Sequence, residues 1–292
     1  MFSASDAAFS GFRAGREHAR TALIWMVVFG LTSLAMFLAV LTKLWPVVTE
    51  MVARGPGAQL SEAQALEISR QIWVAIAPII VPSLLLNAVQ SAAVNRMMLR
   101  PQDGAFGYVR LGMDEVRQLA VLLLLTLVSA VLNLLGNVAL DVLQAGGAAI
   151  SPVLGGALGS IGFILFTGFT IFVSVRLSLA KAQTFATGRI SLLGSWRMTK
   201  GRVLPMLGAY VLAIVLAAIV WIAVLSIAML AAALMAGGSG PAEPTTSGGL
   251  LAFLTPGMII FLAFAVIASP FLSMILLCPA PEIYRRLTAG ER

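Results

Sequence analysis

Two groups of side chains in this sequence have the types and spacing to do chemistry. The first is neutral and polar. Asn87, Gln90 and Ser91 fall at i, i+3 and i+4 and are followed by Asn95, while Thr126, Ser129, Asn133 and Asn137 fall at i, i+3, i+7 and i+11. On helices each set lines one face, where amides and hydroxyls can bond a neighbouring helix or line a polar path. The second group is cationic. Residues 176–202 carry Arg176, Lys181, Arg189, Arg197, Lys200 and Arg202 and no acid, a composition suited to phosphate oxygens. His18 is the single histidine and Cys278 the single cysteine, too few for the common zinc sites or for an internal disulfide. No nucleophile, histidine and acid form a credible set, and no GxxxxGK[ST] phosphate loop occurs. The expectation is a protein that is not an enzyme and uses no cofactor or metal.

The elements that must position these groups follow from composition. Of the 292 residues 60% are apolar and 11% charged, with a mean hydropathy of +0.98. Soluble domains are about 45–50% apolar and about 25% charged. A soluble fold could not bury this much apolar surface, so lipid is the solvent for much of it. No polar block is long enough for a second domain, and residues 1–292 read as a single transmembrane domain. The net charge of +7 sits beside apolar runs, where it serves topology and anionic headgroups rather than nucleic acid.

Six apolar runs have at least the length that a hydrocarbon core of about 30 Å requires: 21–42, 72–94, 119–140, 153–175, 203–236 and 250–277. The first is longer than a signal-peptide core and is expected to be a span, bounded by Trp25 on one side and by Lys43 with Trp45 on the other. Residues 46–70 are expected to form an external loop in which Ser61 and Gln64 make a capping box. Pro78 and Pro82 are expected to bend or locally unwind the second span. A second external loop is expected over 141–152, after which Gly155, Gly159 and Gly162 offer a groove for close helix approach. The polar faces of the second and third spans are expected to meet as helix–helix contacts; the alternative is a polar path or ligand pocket. No acid, base or histidine lies within the six runs, which argues against proton-coupled carriers and charge-lined channels.

Lysine and arginine set the orientation. Sixteen lie before the first run, between the second and third, between the fourth and fifth, and after the sixth; only Lys43, Arg54 and Arg70 lie on the other side. The sequence therefore predicts a multi-pass protein of a bacterial inner membrane with both termini cytoplasmic. Ser5 is expected to cap a short N-terminal helix on which Phe9, Arg13, Arg16 and Arg20 share a face. Between Gly188 and Arg202, a helix forming against the membrane or the inner span ends would bring Leu192, Leu193 and Trp196 to one face. On this reading Arg13, Arg16, Arg20, Arg189, Arg197, Lys200 and Arg202 contact lipid headgroups. Asp6, Ala8, Phe9, Arg13, Glu17 and Arg20 also realign, at constant offset, on Asp103, Ala105, Phe106, Arg110, Asp114 and Arg117, with a looser third copy at Leu193 and Arg197. This is the pattern of three repeated helical hairpins with cytoplasmic interfacial helices, or of inner boundaries that each attract arginine and aromatics.

The Arg-Leu-Ser-Leu at Arg176–Leu179, the Ser-Trp-Arg-x-Thr-Lys-Gly at Ser195–Gly201 and the Ile-Tyr-Arg-x-Leu at Ile283–Leu287 resemble a loose group of largely uncharacterised bacterial six-span integral membrane proteins. Some of these are similar to the membrane domain of glycerophosphoryl diester phosphodiesterases. The resemblance implies membrane location and architecture only, since the hydrolase activity belongs to a separate soluble domain that this chain lacks. The expected fold class is all-α, a polytopic membrane protein with six transmembrane helices. The expected function is non-enzymatic binding of anionic phospholipid or a membrane partner, including a second copy, through the cytoplasmic basic segments. The alternative is a carrier for a lipid or small apolar solute, using the amide-lined spans Asn87, Gln90, Thr126, Ser129, Asn133 and Asn137.

Overall fold

A computed structural model describes residues 3–55, 60–235 and 254–290. Those residues form helices and connecting turns with no strand, and six helical segments are long and apolar enough to cross a membrane. In chain order the helices are α1 (Ala4–Ala8), α2 (Ser10–Glu17), α3 (Ala19–Arg54), α4 (Glu62–Leu99), α5 (Met113–Ala148), α6 (Pro152–Leu177), α7 (Ala180–Thr187), α8 (Leu192–Met198), α9 (Val203–Met235), α10 (Pro256–Leu277) and α11 (Pro279–Ala289). The spanning helices pair as three hairpins, α3 with α4, α5 with α6, and α9 with α10. The two termini and the links 100–112 and 178–202 gather at one end, called here the basal end.

The helices outrun the apolar stretches that announce them. Helix α3 continues to Arg54 and contains Pro46, with the Thr49 hydroxyl donating to the Pro46 carbonyl and Arg54 paired with Glu50 one turn away. Most of the loop expected over 46–70 is therefore helix: α3 ends against Gly55, where φ is 79°, and α4 starts from the N-cap Ser61, while residues 56–59 lie outside the described residues. The capping box of Ser61 and Gln64 is present in both directions. Helix α4 runs unbroken through Pro78 and Pro82, so neither proline unwinds it. Its 38 residues measure roughly 57 Å at about 1.5 Å each, well beyond a hydrocarbon core.

Helix α5 likewise absorbs most of the loop expected over 141–152 and ends at Ala148. Ser151 caps α6, accepting from the Leu154 amide, with Pro152 in the first helical position that suits it. The glycine groove of α6 lies against α5. A Cβ on Gly155 would come within 2.8 Å of the Ala148 nitrogen, one on Gly159 would meet Gln144, and one on Gly162 would meet Leu140. The expected end of the fifth span at 236 and start of the sixth at 250 lie outside the described residues; α9 reaches Met235 and α10 begins at Pro256 with Thr255 as its cap.

The packed core sits at the basal end. One cluster joins Ala14, Trp25, Phe29, Ala93, Met97, Tyr108, Met274 and Cys278, and a second joins Ala7, Val175, Leu179, Met206, Ile283 and Leu287. Trp25 is fully buried and donates its indole N–H to the Gly107 carbonyl at 2.8 Å, so it is a core residue rather than the lipid-boundary marker its position suggested. Its partner exists because the 100–112 link turns back through left-handed Phe106 (φ 51°) and Gly107 (φ 65°). Away from this end the hairpins present long rows of exposed Leu, Ile, Val and Phe, which lipid covers.

Three sequence expectations change at the N-terminal segment and the repeat. Ser3, not Ser5, caps α1, accepting from the Asp6 amide. The helix then breaks at Phe9 and again at His18, so Phe9, Arg13, Arg16 and Arg20 do not lie along one helix. The aligned second copy, around Phe106, is a pair of 3-10 turns rather than helices. Consecutive spanning helices do pack on one another, but their basal connections do not share a conformation.

Candidate functional site

The charges at the basal end divide into those the protein uses internally and those it leaves to the surroundings. Arg96, at the end of α4, is 3% exposed. It donates to Glu115 Oε1 at 2.7 Å and to the Tyr108 carbonyl at 2.6 Å, with Asp114 at 3.5 Å. Asp114 also gathers Arg100 at 3.5 Å and Arg117 at 3.2 Å. Arg176, at the end of α6, is stacked on Trp196 with its guanidinium carbon 4.5 Å from the ring centroid, and its carbonyl accepts from Ser195 and Thr199. Helix α8 thus forms against the basal end of a span, as the spacing of Leu192 and Trp196 suggests, with Leu193 left exposed.

The third spanning unit closes on the start of the chain. Glu282, in α11, is 1% exposed and is held by Arg286 at 2.7 Å, Arg285 at 2.7 Å and Arg13 at 3.9 Å. Arg286 reaches on to Asp6 at 3.1 Å. Each hairpin end is therefore fastened to the link that leads into another hairpin, and for the last hairpin that link is the N-terminal segment. A buried charge is tolerable only when paired and hydrogen-bonded, so these clasps fix how the hairpins meet.

Of the seven cations expected at headgroups, Arg13 is half-buried and engaged, donating also to the Asp6 carbonyl at 2.8 Å. Arg16, Arg20, Arg189, Arg197, Lys200 and Arg202 are exposed, and among the described residues no acidic side chain lies within ion-pair distance of any of them. Exposed apolar side chains stand at the same end: Phe9, Phe12, Phe106, Leu111, Ile190 and Leu193. His18 meets the Tyr108 ring edge-on at 5.7 Å between centroids.

The two polar faces do not meet. Gln90 donates to Ser273 of α10 at 2.7 Å, and Asn87 accepts from Lys181 and from Ser91. On α5, Asn133 donates to the Ser129 carbonyl of its own helix, and Thr126, Ser129, Asn133 and Asn137 are all exposed. One turn on, Ser91 and Asn95 of α4 contribute to a cavity of about 230 Å³ at the basal end, lined also by Ser178, Lys181 and Tyr210 with an apolar wall that includes Leu125 and Leu276. Lys181 Nζ lies 3.2 Å from both Asn87 Oδ1 and Ser91 Oγ, and Tyr210 donates to Ser178 at 2.8 Å. Sequence reasoning counted Lys181 only as a topological charge. The available signal was the i, i+4, i+8 run of Asn87, Ser91 and Asn95, but its partner comes from α7, on the far side of another hairpin.

Comparison with known protein families, with curated proteins and with solved structures finds no match.

Proposed function

We propose that this chain is a non-enzymatic protein of a bacterial inner membrane, with its basal end and both termini in the cytoplasm, that binds anionic lipid through its basal surface. The observation that carries the reading is the set of six exposed, acid-free cations, Arg16, Arg20, Arg189, Arg197, Lys200 and Arg202, interleaved with exposed aromatic and aliphatic side chains at the same end. That mixture suits the headgroup layer, where rings and methyls enter the acyl boundary and guanidinium groups meet phosphate. Each cation near an anionic surface contributes about 1 kcal/mol, and salt with a Debye length of about 8 Å weakens the attraction.

The test is lipid co-purification with the full-length protein from a membrane of mixed headgroups, read by mass spectrometry. Wild type is expected to retain anionic over zwitterionic phospholipid. The variant Arg189→Gln, Arg197→Gln, Lys200→Gln is expected to lose much of that preference, and so is wild type extracted at high salt. A headgroup composition equal to that of the surrounding membrane in all three samples refutes the proposal.

A further inference from the structure

We infer that the Lys181 cavity is a separate binding site for one anionic phosphate group, carried by a lipid headgroup or by a small phosphate ester. This extends the lipid-binding reading, but it stands on different residues from the surface cations.

The cavity has the chemistry of an anion site. Lys181 brings a positive charge, and no acidic residue lines the space. An ammonium has three donors; Asn87 and Ser91 accept two of them, at 3.2 Å each, which leaves one for a ligand. Asn95 is 4% exposed and lines the same cavity. Among the described residues its side chain makes no hydrogen bond, and its amide atoms are not fully buried, so they remain accessible to a ligand. An amide can donate two hydrogen bonds to phosphate oxygens. Ser91 and Ser178 also line the space, but their hydroxyls donate to Asn87 and to the Val175 carbonyl, so the donors left for a phosphate are those of Lys181 and Asn95.

Size and wall composition narrow the ligand class. Pockets for drug-sized molecules begin at about 300 Å³, so a space of about 230 Å³ suits a phosphate with a small ester group. Val94, Leu125, Leu276 and Leu277 form one side, a surface on which the first carbons of an acyl or glycerol moiety can rest. The cavity is built from five parts of the chain, α4, Leu125 of α5, the α6–α7 junction with Lys181, Tyr210 of α9, and the α10–α11 junction. An occupant would touch all three hairpins at the point where they are fastened together.

The experiment uses full-length protein in a neutral detergent, with native mass spectrometry and thermal unfolding as readouts. The probes are dihexanoyl phosphatidic acid, dihexanoyl phosphatidylcholine and inorganic phosphate. Wild type is expected to bind one phosphatidic acid saturably, with a matching rise in unfolding temperature, and to bind phosphatidylcholine far more weakly. Lys181→Gln is expected to weaken the anion by about ten- to a hundred-fold, the loss of a charge-assisted hydrogen bond, and Lys181→Arg to recover part of it. Asn95→Asp, which is nearly isosteric, places a carboxylate in the cavity and is expected to abolish binding while the protein stays folded. The surface variant Arg189→Gln, Arg197→Gln, Lys200→Gln is expected to keep the one-to-one site even where bulk anionic enrichment is lost, so the two readings fail separately. Saturable binding of inorganic phosphate as tight as that of phosphatidic acid would assign the site to a free phosphate compound. No saturable anion in wild type, equal affinity for phosphatidylcholine, or undiminished binding by Asn95→Asp overturns the inference.

Discussion

Removing the carboxylate of Glu115 tests whether the basal clasps hold the hairpins together. Glu115 and Arg96 approach to 2.7 Å with side chains 7% and 4% exposed, so neither charge has water to fall back on. Breaking a buried pair by deleting one partner typically costs about 3–5 kcal/mol, because the remaining charge stays buried. Here the guanidinium keeps the Tyr108 carbonyl at 2.6 Å and Asp114 at 3.5 Å. The expected loss for Glu115→Leu is therefore nearer about 2–4 kcal/mol. Arg96→Met is expected to cost at least as much, since it strips both Glu115 and the Tyr108 carbonyl. The double variant should be less harmful than the two losses combined, by about 1–3 kcal/mol, as contacting residues generally are. Thermal unfolding of the four proteins in one detergent supplies the cycle, with about 2–4 °C of midpoint shift per kcal/mol in a chain of this order of size. Purely additive losses, or a Glu115→Leu midpoint equal to wild type, would show that the pair is not energetically coupled and would refute the reasoning.

Three further outcomes follow from the geometry. Gly11→Ala should destabilise by about 1–3 kcal/mol, because its Cβ would fall on the Ile275 Cα and the Met274 carbonyl, whereas Gly15→Ala, one turn on, meets the Phe271 ring at 3.4 Å and the Met274 sulfur at 3.7 Å, both ordinary contacts, and should be nearly silent; unfolding midpoints decide between them. Asn87→Leu and Asn133→Leu should combine additively within about 0.5 kcal/mol, since the two residues share no partner, and a larger coupling in the same assay would mean that the faces meet after all. Reporter domains fused after Gly188 or Arg292 should be cytoplasmic and one fused after Gly147 external; an internal signal at Gly147 would overturn the orientation of the middle hairpin.

The membrane plan was legible because it depends on sums over long windows. Hydropathy located all six spanning helices, and the Ser61–Gln64 capping box marked the start of α4 because a cap is a local event of four residues. Helix ends such as Arg54 and Ala148 were not legible, because hydropathy stops where lipid stops and the backbone keeps its hydrogen bonds beyond it. The polar faces were visible as faces, but their direction was not. Gln90 finds Ser273 and Asn87 finds Lys181 across sequence separations that no periodicity encodes. Trp25 and Arg13 misled for one reason: an aromatic or a cation near a span end is equally suited to the headgroup layer and to a protein core. Here the left-handed turn at Phe106 and Gly107 and the late arrival of Glu282 drew both residues inward.

The fastening of Asp6, Gly11 and Arg13 to Ile275, Glu282 and Arg286 has a bearing on how the molecule is made. Helices α1 and α2 leave the ribosome before all six spanning helices, yet their seat draws on α9, α10 and α11 and is complete only after the sixth span has been made. Throughout the insertion of five spanning helices, α1 and α2 must wait without that seat. A chain cut short before α10 would retain its hydropathic spans and its insertion signals while leaving the segment undocked. Docking of α1 and α2 is thus a physical mark that separates a chain in which α10 and α11 are in place from one in which they are not.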